Sequence, residues 1–135
     1  MELKDMTMEQ LSQQAATLTE RIALFVQKAD EVTAEYWKRM NYTHSPPPTH
    51  RADYISDKWC RVVTVEHWPD HPPRDSSVYG FICLQDGQTK ALGVLMAGDI
   101  HKAASFKAPA KRARGNVFKD DFAKAITEFG IVYLK

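Results

Sequence analysis

The chain has 135 residues, 44% of them hydrophobic, 26% charged and 10% aromatic. That is enough for one domain with its own core and too little for two, and such a core needs no disulfide or metal staple. A near-neutral balance of 18 Lys and Arg against 17 Asp and Glu, two cysteines, and no apolar run longer than Ile22 to Val26 exclude a disulfide framework and a membrane helix. Met1-Glu-Leu-Lys-Asp5 has no apolar stretch, so no secretory signal is expected and the chain reads as cytoplasmic. The charge is unevenly spread. Met1 to Asn41 carries seven acids and five bases, whereas Gly98 to Lys119 carries one acid and six bases. A local excess of +5 points to an anionic partner.

Thr7-Met-Glu-Gln10 fits a capping box, and the chain beyond it reads as helical. Leu11, Leu18, Phe25 and Val32 repeat every seven residues, as do Ala15, Ile22, Ala29 and Tyr36. No Gly or Pro interrupts Thr7 to Tyr42, so a helix of roughly 50 Å is expected, too long for one small domain to cover. Its heptad seam is therefore expected to pair with a second copy as a homo-oligomer, the alternative being a hairpin broken near Ala23 to Gln27. Residues 43–57, with Pro46, Pro47 and Pro48, read as a stiff connector. Residues 58–135 read as the β-rich, ligand-binding part of a single domain.

Lys58 to Trp68, Val78 to Leu84 and Leu92 to Met96 alternate as strands, with a turn at Asp86-Gly87. Ala97-Gly98-Asp99 is a further turn, and a fourth short strand is expected within Ile100 to Lys107. Phe118, Phe122 and Ile126 predict a short helix, and Ile131 to Leu134 a terminal strand. The fold class is α+β: a long N-terminal heptad-patterned helix, a small antiparallel sheet and a short C-terminal helix.

No residue pattern assembles a nucleophile, a base and an orienting partner, so the chain is not expected to be an enzyme. His67 and His71 have helical ligand spacing, but Pro69 between them breaks a helix, so no metal or other cofactor is expected. Cys60 and Cys83 fall in strands, where buried and inert thiols are usual. The distinctive stretch is Gly98 to Phe118. There small residues such as Ala108, Ala110 and Ala113 are interspersed among Lys107, Lys111, Arg112 and Arg114, with Phe106 and Phe118 offering aromatic faces. Arginine forks suit phosphate, and Gly115 permits a positive φ that would shape an anion-binding nest. A solvated basic loop with Phe118 in the core would explain the same composition.

The sequence Ser77-Val-Tyr-Gly-Phe-Ile82, then Gly98-Asp-Ile-His-Lys-Ala-Ala-Ser-Phe-Lys-Ala-Pro-Ala-Lys111, then Arg114-Gly-Asn-Val-Phe118 resembles small bacteriophage-encoded proteins. The resemblance runs from Tyr36 onward and is strongest from Val78 to Phe118. Within that set the chain is similar to the Thoeris anti-defence sponges, though its stretch Leu84 to Ala97 is longer than their pattern. The resemblance implies an oligomeric helix-plus-sheet protein in the cytoplasm of an infected bacterial host. It implies that the protein sequesters a cyclic ADP-ribose isomer or another cyclic nucleotide without cleaving it. It also implies Phe81 as the base-stacking ring and Arg112 and Arg114 as phosphate contacts, with Arg61, Lys107, Lys111 and Asn116 as further ligand-binding residues. The alternative is a phage nucleic-acid-binding protein that uses Gly98 to Lys119 along a phosphate backbone.

Overall fold

The structure is a computed structural model that describes residues 17–132. Helix α1 (Leu18–Arg39) opens at Thr17, whose backbone is extended at φ −96° and ψ 157°. Thr17 caps the helix with its side chain: the Glu20 N–H donates to Thr17 Oγ1 at 3.2 Å, and that hydroxyl donates to Glu20 Oε1 at 2.7 Å. The expected unbroken helix from Thr7 to Tyr42 is thereby corrected, since an extended Thr17 cannot lie inside it. The Thr7 to Gln10 capping box and the Leu11 and Ala15 rungs lie outside the described residues. At its other end the helix stops where Asn41 turns left-handed at φ 60°.

The 22 residues of α1 span about 33 Å, a length that one sheet can cover. Ile22, Phe25 and Ala29 are at most 1% exposed, and they pack with Cys60, Val62, Tyr79 and Ile82 of the chain's own strands. This part of the seam meets the protein itself. A heptad repeat and the inner stripe of a helix lying on a sheet are the same pattern over three turns. The outward stripe, Ala23, Gln27, Glu31, Ala34 and Lys38, is exposed and largely polar.

Five antiparallel strands form the sheet: β1 (Thr49–Tyr54), β2 (Trp59–Glu66), β3 (Arg74–Cys83), β6 (Asp99–His101) and β7 (Gly115–Asn116), adjacent in that order. Strands β4 (Gly87–Thr89) and β5 (Gly93–Leu95) make a separate hairpin between β3 and β6. A 3-10 turn (Phe122–Ala125) and the small hairpin of β8 (Ile126–Thr127) and β9 (Gly130–Ile131) close the core beside α1. The α+β class holds. The expected C-terminal helix is only that four-residue turn, because Ile126 is already extended at ψ 127°. Phe122 and Ile126 are buried from a turn and a strand, while Phe118 is 44% exposed.

Two further expectations change. The segment read as a connector, 43–57, contains β1, which pairs along its whole length with β2. The Asp86-Gly87 turn is instead the opening of β4: Gly87 pairs with Leu95, and the chain reverses around Lys90 to Leu92. Strand β3 also carries two register shifts against β2. Val62 pairs with Gly80 but Val63 with Val78, so Tyr79 is an inserted residue. That bulge belongs with Tyr79's burial in the helix-side core, where its hydroxyl donates to the Thr127 carbonyl.

Candidate functional site

The opposite face of the sheet carries a different set of side chains. Asp53, Arg61, Phe81 and His101 are register partners across β1, β2, β3 and β6, so they stand in one row on one face. Their neighbours in sequence, Cys60, Ile82 and Ile100, belong to the helix-side core. The alternation that buries one set under α1 therefore places the other set together. Phe81 and His101 are each 1% exposed. Trp59 packs edge-on against both, with ring centroids 6.2 Å from Phe81 and 5.3 Å from His101.

The loop between β6 and β7 reaches this row. Ala103 and Pro109 form an isolated bridge, the Ala104 N–H donates to the Ala108 carbonyl at 2.9 Å, and the Ala110 N–H donates to the Lys102 carbonyl at 2.7 Å. At its tip Phe106 lies over Arg61, 4.4 Å from guanidinium carbon to ring centre, and its carbonyl accepts from Arg61 Nη1 at 3.3 Å. At its base His101 Nδ1 lies 2.8 Å from the Ala110 carbonyl. A carbonyl only accepts, so Nδ1 carries the proton of that bond. Three nitrogens in this region, Arg61 Nε, His101 Nε2 and Arg114 Nε, are buried and have no hydrogen-bond partner.

The sequence-derived residues separate into three groups. Arg61 and Phe81 share the row. Phe81 cannot be a stacking surface as it stands, because its ring is enclosed; the exposed ring beside Arg61 is Phe106, at 53%. Lys107, Lys111 and Arg112 are exposed on the loop. Arg114 and Asn116 serve the loop's own structure. Arg114 Nη1 donates to the Lys111 and Arg112 carbonyls, and Asn116 Nδ2 donates to Ala97 O and Asp99 Oδ1, each at 3.0 Å. Gly115 lies in β7 without a positive φ; Arg112 takes the left-handed conformation, at φ 66°. The nest expected at Gly115 is thus replaced by a turn clamped by Arg114.

Residues 2–128 match the family of unknown function DUF7717. The chain belongs to that family. No curated protein and no solved structure matches it.

Electrostatics around the row of this DUF7717 member are set by Arg51. Its guanidinium pairs with Asp53 at 2.8 Å and Asp75 at 2.9 Å, holding both carboxyls below the usual carboxylate range, with Arg61 adding to the effect. On the helix side, burial pushes the Cys60 thiol up to about 12. Cys83 is 1% exposed, and its thiol is raised by burial as well. Among the described residues no three His, Cys, Asp or Glu side chains are grouped to hold a metal ion, and no helix is long and apolar enough to cross a membrane.

His101 carries no signal at the sequence level. A lone histidine between a turn and a basic run has no telling spacing, and only the pairing of β6 with β3 brings it beside Phe81. The prolines also do more than stiffen a connector. Pro46, Pro47 and Pro69 line a cleft of about 470 Å³ with Trp37 and Tyr42 at the end of α1. Trp37 Nε1 donates to the Ser45 carbonyl at 3.0 Å, so the segment packs against the helix.

Proposed function

We propose that the chain binds a small phosphate-bearing nucleotide against the loop between β6 and β7 and holds it without cleaving it. The observation that carries this reading is the Arg61–Phe106 stack, with Lys107, Lys111 and Arg112 exposed in the same loop. A nucleobase can stack on the exposed Phe106 ring while the flanking basic side chains neutralise phosphate. Phe106 thereby takes the stacking role that the phage-sponge resemblance implied for Phe81. Holding a ligand asks for affinity only, and a charge-assisted hydrogen bond contributes roughly 1.5–3 kcal/mol. A sponge for a cyclic ADP-ribose isomer or a cyclic oligonucleotide is the role this reading gives the protein.

A specific observation also favours a second reading. Lys107, Lys111 and Arg112 all stand exposed, an arrangement that suits the backbone of a single-stranded nucleic acid. Calorimetric titration separates the two, using cyclic ADP-ribose isomers, cyclic di- and trinucleotides, and single-stranded and duplex DNA. The first reading expects saturable heat from one cyclic nucleotide, weakened about tenfold or more in F106A and in a K107A/K111A/R112A variant. Strongly salt-dependent binding of DNA alone, with no heat from any cyclic nucleotide, overturns it in favour of the second.

A further inference from the structure

Two clefts meet at Pro69. The first, of about 470 Å³, lies between the end of α1 and residues 42–47, with Trp37 and Lys38 in its lining. The second, of about 630 Å³, is lined by Trp68, Pro72, Pro73 and Arg74. Pro69 lines both, so together they make one groove walled by indole and proline rings. Its walls are set before any ligand arrives. Tyr42 packs edge-on against Trp37 with ring centroids 4.8 Å apart, and Trp37 Nε1 donates to the Ser45 carbonyl at 3.0 Å. Pro69 and Asp70 are the centre of a turn that the His71 N–H closes onto the Trp68 carbonyl at 3.2 Å, with Asp70 at φ 64°.

The chemistry of the lining narrows the occupant. Trp68 Nε1 is given to Glu66 Oε2 at 3.1 Å, so both indoles offer ring faces and no donor. Flat, apolar rings are what such walls hold best. A polyproline II segment presents them at low ordering cost: its backbone is already extended, and prolines three residues apart recur on one face. Neither lining contains an acid, and Lys38 and Arg74 supply positive charge. Arg74 is already paired with Glu66 at 3.0 Å, which leaves Lys38 to favour an acidic residue beside the prolines. We propose that this groove docks a proline-rich segment of a partner protein, in polyproline II conformation, with an acidic flanking residue that meets Lys38. None of these residues takes part in the proposed nucleotide site.

The test titrates the ¹⁵N-labelled full-length chain with synthetic peptides: a proline run flanked by glutamates, the same run flanked by lysines, and an alanine run flanked by glutamates. The expected result is a saturating shift of the Trp37 and Trp68 indole N–H signals with the glutamate-flanked proline peptide, while the Trp59 signal stays in place. Trp68 is 46% exposed, so W68A keeps the fold, and it should weaken that peptide about tenfold. K38E should turn the preference toward the lysine-flanked peptide, by about two- to fivefold. Equal binding of the alanine peptide, an unchanged affinity in W68A, or no indole shift at any concentration of the proline peptides overturns the proposal. A flank preference that K38E leaves unchanged overturns it as well. So does an indole shift caused by a cyclic nucleotide or by DNA but by no proline peptide.

Discussion

Replacing Arg21 by methionine tests how the segment after β7 is held. Arg21 sits in the first turns of α1, yet it is only 3% exposed. Its Nε donates to the Val117 carbonyl at 2.6 Å and its Nη2 to the Lys119 carbonyl at 3.4 Å. The guanidinium carbon also lies 5.8 Å from the centre of the Phe122 ring. Methionine keeps the length and apolar stem but removes every donor. Losing a charged hydrogen bond to a buried carbonyl costs about 1.5–3 kcal/mol, and losing the contact over the ring about 0.5–1 kcal/mol. A total of about 3 kcal/mol lowers the melting temperature of a domain this size by about 10 °C. Thermal unfolding followed by circular dichroism measures the shift, and hydrogen exchange locates it. The Val117 amide, which donates to the Gly98 carbonyl at 2.9 Å, should lose protection before amides in β2. A drop under about 3 °C, or exchange that rises equally everywhere, would refute the clasp.

The remaining predictions concern the sheet. In G80A the new methyl would meet Ile131 Cγ1 at 2.5 Å and the His101 carbonyl at 2.9 Å, so a loss of about 1–3 kcal/mol is expected in urea unfolding. F25A should cost about 3–5 kcal/mol, because the ring is fully buried against Tyr79; a change near zero would mean that α1 does not lie on this sheet. Asp53 and Asp75 have lowered pKa values in the folded chain, so their stabilisation is complete above the unfolded carboxylate range and is lost as the pH falls below about 4. Urea midpoints compared at pH 6 and pH 3 should therefore converge for R51Q and the parent as acid is added.

How much of the fold is legible in the sequence depends on which signals are local. The apolar stripe of α1, the Val-rich run of β2 and the apolar end of β3 show themselves through periodicity. The first four residues of β3, Arg74 to Ser77, are exposed and polar, so no alternation marks them. Strand β1 is an edge strand whose inward positions are His50 and Ala52, and three prolines just before it suggest a linker. His50 gains its burial from Asp30 on α1, a partner 20 residues away at 2.7 Å. In the same way the enclosure of Phe81, which the resemblance made a stacking ring, depends on Trp59 of the neighbouring strand packing edge-on against it. The basic segment is visible as composition. Which of its residues face outward, and which clamp the turn, depends on Arg112 rather than Gly115 taking the left-handed conformation.

Whether the chain holds a phosphate-bearing nucleotide intact is answered most directly by native mass spectrometry. The chain is mixed with equal amounts of the cyclic nucleotides and a short single-stranded DNA, then heated, and the mass of whatever was bound is determined. The expected result is a complex with one cyclic nucleotide, lost in F106A, and recovery of that nucleotide at its starting mass. Recovery of a hydrolysed product, or a complex with DNA alone, would contradict the proposal.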